Sequence, residues 1–400
     1  VRRLAAAAYR GAGGADAFGT RLPGKKRQEL LERGGGSAAT EAAVHAALGW
    51  LAQHQSADGG WECEGFAEGC VGPKCEGAGG GAFDAGVSGL ALLAFLGAGH
   101  LPDPLPPDKG GTEFGLTVKR GLDGLIARQK EDGSFTPASP KPLYDHAIAA
   151  CALAEACGMT GDPAILDAAQ NAIDYLMQAK NPYKAWRYTS KCGENDSSVT
   201  GWCVAALWAA EKARLNVGHS AMVEAKQWID EVTDKNHGKV GYQSLEDAGV
   251  KVQVPGKNDR YAGHETLAAI GMVIRMLVDR DRKDPVLQMG ANLLSSDLPV
   301  WDIEERTTDY CYWYHGTLAL FLWDGPGSGG SQKYWKIWNP AVSNALTKNQ
   351  LTKDRGCGCG SWDADDRWGF AGGRVYATAI NALTLETFYR YPSGATTRPR

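Results

Sequence analysis

One short phrase recurs along this chain and constrains its fold more than any other feature. Residues 55–61 read Gln-Ser-Ala-Asp-Gly-Gly-Trp after an apolar helical run, and residues 129–135 read Gln-Lys-Glu-Asp-Gly-Ser-Phe after another. A looser copy lies near the C-terminus, where Gln350 is followed by Gly360-Ser361-Trp362. Because self-similar segments mark repeat architectures, this recurrence predicts a chain built from helical hairpins.

The hydrophobic pattern repeats six times from Thr40 onward, as an amphipathic helix, a Gly-rich loop with an aromatic residue, and a helix that is apolar on most sides. Helices that are apolar all round are buried on both sides, whereas helices with one polar face lie outside. The outer helices are predicted at about 40–54, 116–129, 163–179, 220–232, 284–296 and 333–350. The inner helices are predicted at about 84–98, 144–158, 197–214, 264–280, 309–323 and 373–389.

Six outer–inner pairs predict an all-α fold, a single (α/α)6 toroid made of a double ring of six outer and six inner helices. The toroid is expected to span residues 39–392, since a closed array of repeats can use a long chain as one domain. Residues 1–38 are predicted to form a partly irregular N-terminal arm with one helical piece at 25–33. Residues 393–400 are predicted to form a C-terminal tail.

Composition excludes several classes of protein. The formal net charge is −4 and no basic run with interleaved aromatic residues occurs, so no nucleic-acid partner is expected. No apolar stretch reaches the roughly 18 residues of a membrane span, which leaves peripheral membrane contact open. The chain starts at Val1 rather than Met, so the sequence does not exclude a leader or an anchor before it. Nothing indicates an oligomeric state.

The chain has 10 cysteines, and six of them fall in predicted loops. These six could form disulfides in an oxidising compartment, stay free, or bind a metal. An extracytoplasmic location is expected on the disulfide alternative. The six loop cysteines are Cys63, Cys70, Cys75, Cys192, Cys357 and Cys359.

The phrase that follows Leu48-Gly49-Trp50-Leu51 resembles the QW motif of the squalene–hopene and oxidosqualene cyclases, and related repeats occur in the β subunits of protein prenyltransferases. The resemblance covers about residues 40–392 and is strongest to single-toroid bacterial proteins described as prenyltransferase/squalene oxidase repeat-containing. It implies a structural role for the motif, with Gln bonding a free helix end, Gly permitting the turn and Trp stacking between hairpins. The residues assigned this role are Gln55, Trp61, Gln129, Phe135, Trp186 and Trp362.

Candidate site residues lie near the starts of the inner helices, because parallel inner helices gather their N-termini at one end of a central cavity. The candidate catalytic residues are Asp145, Asp309, His315 and Tyr310. The candidate substrate-binding residues are Asp84, Tyr144, His146, His264, Glu265, Trp313, Tyr314, Arg374 and Tyr376. The alternative for each is structural, with Asp as an N-cap and His or Tyr as a satisfied core residue.

Two further segments are similar to family motifs. Residues 363–366 read Asp-Ala-Asp-Asp, the pattern with which squalene cyclases hold a protonating acid, but they directly follow the QW-type Trp362. Residues 309–312 read Asp-Tyr-Cys-Tyr and resemble the zinc segment of prenyltransferase β subunits, although Ala377 stands where that family has a ligating His. A catalytic zinc site takes three protein ligands, so no cofactor is expected and zinc at Asp309 and Cys311 stays an alternative.

The resemblance implies a terpenoid cyclase or prenyltransferase-like cavity that binds or converts an isoprenoid or another apolar chain. A cyclase would be proton-initiated, with Asp145 or Asp309 as the acid and Tyr310, Tyr314 and Trp313 shielding cations. Triterpene cyclases also carry a second α-domain and a membrane-binding insertion, which this sequence lacks.

Two alternatives stay open, and the sequence does not decide whether the chain is an enzyme such as a terpene cyclase, an isomerase or a lyase. The first alternative is a non-catalytic extracytoplasmic binding or interaction module on the same toroid. The second is a polysaccharide lyase or glycosidase-like cleft that uses Tyr310, His315, Arg374 and Glu265.

Overall fold

The computed structural model describes residues 18–135 and 139–391. Most of the predicted N-terminal arm up to residue 17, and the whole predicted tail at 393–400, lie outside the described residues. Within the described part the chain is helical and has no strand, only an isolated bridge between Thr233 and Val240. The predicted all-α class is therefore confirmed.

Among the described α-helices, twelve form the double ring and two more, one before it and one after it in the chain, pack against each other. The outer helices are α2 (Ala38–Gln53), α4 (Gly115–Ala127), α6 (Pro163–Ala179), α8 (His219–Glu231), α10 (Pro285–Ser295) and α12 (Trp335–Asn349). The inner helices are α3 (Asp84–Gly97), α5 (Pro142–Thr160), α7 (Ser197–Lys212), α9 (Thr266–Val278), α11 (Tyr310–Asp324) and α13 (Gly369–Leu385). The end helices are α1 (Lys25–Gly34) and α14 (Thr387–Arg390).

The inner helices close into a ring. Each of them packs on the next in chain order, and α13 returns to pack on α3. In the outer ring, the last helix, α12, packs against the first, α2. This arrangement confirms the predicted (α/α)6 toroid.

Aspartate caps begin several of the helices, as the sequence predicts. Asp162 Oδ1 accepts from the backbone N–H of Ala164 at 3.0 Å, at the start of α6. Among the inner helices, Asp309 Oδ1 accepts from the N–H of Tyr312 at 2.9 Å. An N-cap oxygen satisfies a backbone donor that has no partner in the first turn, so these residues fix where the helices start.

The three copies of the repeated phrase make the same contacts. The side-chain amides of Gln55, Gln129 and Gln350 each donate to a carbonyl of their own turn and to a carbonyl of the neighbouring outer helix. The glutamines thus join one hairpin to the next rather than bonding a free helix end. For Gln350 the neighbour is Ala43 of α2, at 2.7 Å, so the third copy closes the ring.

The tryptophans of the phrase are fully buried and bonded. The indole N–H of Trp61 donates to the carbonyl of Leu51 at 2.8 Å, and that of Trp362 donates to Leu346 at 2.9 Å. One glycine in the turn of each copy has a positive φ; these are Gly59, Gly133 and Gly360. At Gly59, where φ is 91°, an added Cβ would lie 2.1 Å from the carbonyl oxygen of Arg120. Only glycine allows so close an approach.

A buried ion cluster closes the ring at the end opposite the inner-helix starts. Glu155 of α5 accepts from Arg21 and from Arg390, each at 3.0 Å to Oε1, and all three side chains are almost fully buried. Segments before α1 and at the end of α14 therefore meet on one inner helix. None of the described helices is long and apolar enough to cross a membrane.

Candidate active-site cavity

A cavity of about 320 Å³ occupies the end of the ring where the inner helices begin. Its wall is mostly aliphatic and aromatic, with side chains from successive turns of the inner helices. The apolar lining residues on these helices and beside them are Phe83, Val87, Leu90, Ile148, Trp202, Leu267, Ile270, Trp368 and Ile380.

A loop segment covers the cavity mouth. Residues 250–254, in the connection between α8 and α9, line the cavity from outside the ring. The buried guanidinium of Arg367 donates to the carbonyl of Ala262 at 3.0 Å and to the carbonyl of Val252. Lys251 of the segment pairs with Glu265 at 3.0 Å. These contacts hold the segment over the mouth as a lid.

Asp145 lies on the cavity wall in apolar surroundings. Its side chain is buried and its Oδ2 has no hydrogen-bond partner. Burial raises the pKa of Asp145 to about 7, against a lowering contribution from a hydrogen bond with Ser139. The space for this carboxyl comes from Gly86 of α3, since an added Cβ there would lie 2.4 Å from Oδ1. Asp145 is therefore a carboxyl group that holds a proton near neutral pH.

A second carboxyl group on the wall belongs to a charged network. Burial raises the pKa of Asp309, with His264 opposing the shift. His264 bonds Asp297 through Nδ1 at 2.8 Å and the carbonyl of Thr307 through Nε2 at 2.9 Å. Burial and the neighbouring Asp309 raise the pKa of Asp366 to about 8. Asp309 caps α11 and interacts with His264, so its carboxylate stabilises the start of this helix.

Polar groups are concentrated toward the mouth. Tyr144 of α5 bonds Ser198 at 3.2 Å through its hydroxyl, and the hydroxyls of Tyr188 and Tyr242 are in contact with each other. The ammonium of Lys141 lies 4.7 Å from the ring centroid of Tyr188. Deeper in the ring, Trp202 stacks on Tyr314 with centroids 5.7 Å apart. The cavity is thus polar at its mouth and apolar below.

Five of the candidate residues line the cavity, and eight lie elsewhere. The five are Asp145, Asp309, Tyr144, His264 and Tyr376. The eight outside the lining are His315, Tyr310, Asp84, His146, Glu265, Trp313, Tyr314 and Arg374.

Each residue outside the lining has a local partner. Asp84 accepts from the N–H of Cys63, and His146 bonds the carbonyl of Ala172 on an outer helix. The Tyr310 hydroxyl donates to the carbonyl of Asp363, and the Arg374 guanidinium bonds the carbonyl of Glu76.

The remaining four are held in the same manner. His315 bonds the carbonyl of Cys311 in its own helix, and burial lowers its pKa to about 4. Trp313 packs on Trp301, Tyr314 forms the layer beneath Trp202, and Glu265 binds the lid through Lys251.

Several residues that line the cavity were not among the candidates, because nothing in the sequence distinguishes them from ordinary loop or core residues. They are Lys141, Tyr188, Trp202, Tyr242, Lys251, Arg367 and Trp368. In the Asp-Ala-Asp-Asp segment, Asp365 is exposed and Asp366 is buried behind the cavity wall. None of these four residues lines the cavity, whereas the next two residues, Arg367 and Trp368, do.

The side chains that could hold a metal ion lie outside the lining of this cavity. Over residues 18–135 and 139–391, the only group of three or more converging ligand side chains is His54, Cys70, Cys75 and Cys357, which does not include Asp309 or Cys311. All ten cysteines lie in these ranges and all are free thiols.

The fold is shared with solved structures of different activities. It is similar to an inactive variant of the α-1,6-mannanase GH76A of Salegentibacter sp. HEL1_6 in complex with α-1,6-mannotetrose, with a TM-score of 0.58, 11% identity and coverage of 88% of this chain and 99% of that one. It is also similar to the type II terpene cyclase MstE from Scytonema, with a TM-score of 0.55, 12% identity and coverage of 88% and 97%.

A novel α-amylase from Clostridium perfringens is a third neighbour, with a TM-score of 0.51, 11% identity and coverage of 87% and 97%. No protein-family model matches this sequence, and no curated protein matches it. At these identities the likeness establishes the α/α toroid fold alone.

Proposed function

We propose that this protein is a proton-initiated terpenoid cyclase that converts an isoprenoid chain. The observation that carries the proposal is Asp145, a buried carboxyl group with an unpartnered oxygen on an apolar cavity wall. The pKa of about 7 supplies the protonated form near neutral pH. An alkene is a poor base, so its protonation needs an acid whose anion is poorly stabilised, and at Asp145 the cost of burial outweighs the hydrogen bond with Ser139.

The reaction follows from this arrangement. The proton on Asp145 moves to a terminal alkene carbon, where a C–H bond forms, and the π electrons leave a cation on the more substituted carbon. Attack by the next double bond closes a ring, and loss of a proton or capture of water ends the sequence. Solvent then returns a proton to Asp145. The faces of Trp202, Tyr144 and Tyr376 stabilise the cations, instead of Tyr310, Tyr314 and Trp313.

The mouth face supports delivery of an apolar substrate. Of the nine exposed large hydrophobic side chains in the described part of the chain, six lie on the loops at this end of the ring. They are Val71, Tyr183, Leu245, Val250, Val300 and Ile303. These six side chains are distributed over four connections that all lead into inner helices, so they share one face of the ring. A bilayer holding the substrate is the surface that fits a cyclase. The repeated Gln and Trp contacts support grouping the chain with the squalene-cyclase-type repeat proteins.

The test is product analysis by gas chromatography–mass spectrometry after incubation in detergent with squalene and with C15 and C20 prenyl diphosphates. We expect a new cyclic hydrocarbon or alcohol that Asp145→Asn abolishes. His146→Asn is the matched control, since that residue is next in sequence and faces an outer helix. Absence of any product from a folded protein, or full activity in Asp145→Asn, would contradict the proposal.

A glycosidase-like reaction is the second candidate, because two carboxyl groups, those of Asp145 and Asp309, line one cavity. Glycoside hydrolysis uses such a pair as acid and as base or nucleophile. Release of reducing sugar from α-linked mannan or glucan, lost in both Asp145→Asn and Asp309→Asn, would favour it. The lid and the apolar wall favour the isoprenoid instead.

A further inference from the structure

A cluster of sulfur and nitrogen ligands lies at the rim of the ring, outside the cavity lining. His54 directly follows α2, Cys70 and Cys75 belong to the loop between α2 and α3, and Cys357 comes from the loop after α12. Their ligand atoms all lie within 4.8 Å of one another. Residues separated by about 300 positions in sequence therefore meet at one point, where the first and last hairpins of the ring adjoin.

The spacing of these atoms matches a tetrahedral zinc site. The Nε2 of His54 lies 3.4 Å from Cys70 Sγ, 4.0 Å from Cys75 Sγ and 3.4 Å from Cys357 Sγ. With ordinary zinc–sulfur and zinc–nitrogen bond lengths, a tetrahedron separates sulfur from nitrogen by about 3.6 Å. The three nitrogen–sulfur distances therefore differ from this value by only a few tenths of an ångström, and all four ligand atoms lie within 4.8 Å of one another.

The surroundings prepare the histidine as a ligand. His54 Nδ1 lies 2.8 Å from the carbonyl of Trp50, to which it donates in the tautomer with hydrogen on Nδ1. That tautomer leaves the lone pair of Nε2 directed at the three sulfurs. The ring is also stacked on Trp50, with centroids 4.1 Å apart. Metal-binding histidines are commonly oriented by this kind of bond from their second nitrogen.

Two of the three sulfurs, those of Cys70 and Cys357, accept hydrogen bonds from amide groups. The N–H of Cys75 donates to Cys70 Sγ at 3.2 Å, and the N–H of Val71 donates to Cys357 Sγ at 3.4 Å. The amide of Gln53 donates to Cys357 Sγ at 3.0 Å. Donors of this kind stabilise thiolates, which are the forms that bind metal and which release their protons on binding.

We propose that His54, Cys70, Cys75 and Cys357 bind one zinc ion that clips the ring closed at its rim. Three thiolates and one imidazole form a complete ligand set that leaves no open position, which is the pattern of a structural zinc site. Soft thiolate ligands select against Mg²⁺ and Ca²⁺, which prefer oxygen.

The clip also supports the cavity. Just beyond Cys75, the carbonyl of Gly77 accepts from the N–H of Arg374 at 2.8 Å, and the N–H of Gly80 donates to the carbonyl of Ala371 at 2.9 Å. Ala371 lines the cavity at the start of α13. Fixing the loop at Cys70 and Cys75 therefore holds the first turns of this inner helix in place.

The first experiment measures zinc by elemental mass spectrometry in the full chain, expressed with added Zn²⁺ and purified without chelator or metal-binding tag. We expect about one zinc ion per chain. Cys70→Ser and Cys357→Ser should retain at least tenfold less zinc in competition with a chromophoric chelator. Cys359→Ser and Cys192→Ser are the matched controls and should keep the wild-type content, because neither residue belongs to the cluster.

The second experiment uses Co²⁺ as a probe on the chelator-treated wild-type protein, so it does not depend on how the variants fold. Tetrahedral thiolate ligation gives visible d–d bands and near-ultraviolet charge-transfer absorption, which Zn²⁺ should then bleach. Hydrogen exchange at residues 371–376 should slow when Zn²⁺ is returned. Wild-type protein that binds neither ion, zinc retained equally in Cys70→Ser, or a disulfide between Cys70 and Cys75 in the purified protein would each overturn the proposal. None of these readouts depends on catalytic activity.

Discussion

Asp145 is placed where its charged form is costly. An ordinary aspartate is ionised well below neutral pH, but burial on the cavity wall raises the pKa of this one to about 7. The native state therefore binds a proton that the unfolded chain has lost, and the free energy of unfolding falls as pH rises between about 4 and 7. Above that range the full cost of the ionised group, roughly 4 kcal/mol, opposes folding.

Replacing this carboxyl with a neutral amide of the same shape should remove the cost. We expect the free energy of unfolding of Asp145→Asn to exceed that of wild type by about 1–4 kcal/mol at pH 8 and to match it near pH 3.5. Denaturant titration across this pH range measures the difference. Equal stabilities at both pH values would show that Asp145 has an ordinary pKa.

The sequence predicts positions along the helices better than it predicts which way a side chain faces. Asp145 and His146 are neighbours on α5, yet one lines the cavity and the other bonds the carbonyl of Ala172 on an outer helix. Successive residues of a helix differ by about 100° in direction, and an inner helix is apolar on most sides. The hydrophobic pattern of an inner helix therefore predicts that the helix is buried, but not which of its side chains face the cavity.

At the scale of elements, the repeated glutamines act as ties between hairpins. The amide of Gln129 donates to the carbonyl of Gly133 at 3.1 Å and to that of Ala168 on α6 at 2.9 Å. The resemblance of the repeated phrase to the QW motif implied a structural role for this residue, as the bond to a free helix end. Its partner on the next helix was not predictable, since that contact depends on how adjacent hairpins dock.

Removal of one tie should weaken the docking. We expect Gln129→Ala to lower the free energy of unfolding by about 1–3 kcal/mol, because two carbonyl groups lose a donor. Gln28→Ala is the control, since its amide bonds only the exposed Glu32 within α1. Thermal and denaturant unfolding of both variants measures the effect. A loss in the control as large as in Gln129→Ala would contradict this role.

The lid depends on one buried guanidinium. Without Arg367, the carbonyls of Val252 and Ala262 lose their donor, and the segment between them is released from the wall. We expect Arg367→Ala to speed tryptic cleavage after Lys251 by at least tenfold, because each of the two lost charge-assisted hydrogen bonds contributes about 1.5–3 kcal/mol. Arg355→Ala is the control, because Arg355 is exposed, and trypsin should cleave this variant after Lys251 at the wild-type rate. An unchanged rate in Arg367→Ala would show that other contacts hold the lid.

At the scale of the whole molecule, the Glu155 cluster joins the two ends of the described chain to one inner helix. Burial would raise the pKa of Glu155, but the charges of Arg21 and Arg390 outweigh it and keep the pKa low. The carboxylate therefore stays ionised between two buried cations. Such a group is stabilising only while its partners are present.

Glu155→Gln should leave both guanidinium groups buried without a counter-charge. We expect a loss of about 3–5 kcal/mol in the free energy of unfolding. Asp123→Asn, which breaks the exposed pair between Asp123 and Lys119, should cost no more than about 1 kcal/mol. Calorimetry or denaturant titration of the two variants compares them. A loss in the free energy of unfolding of no more than about 1 kcal/mol for Glu155→Gln would mean that water reaches the cluster.

The ring and its repeats were predictable from sequence because each hairpin carries its own periodicity and caps. The closure was not, since it depends on contacts such as Gln350 to Ala43 and His54 to Cys357, whose partners lie about 300 residues apart. No local pattern encodes such a pairing.

Closure by distant residues also has a consequence for synthesis on the ribosome. The first inner helix, α3, obtains one of its two inner neighbours only from α13, near the end of the chain. Until that helix leaves the ribosome, an apolar face of α3 has nothing to cover it. Exposed apolar surface on a growing chain is prone to aggregation. We therefore expect chains that stop before α13 to aggregate more readily than the complete ring.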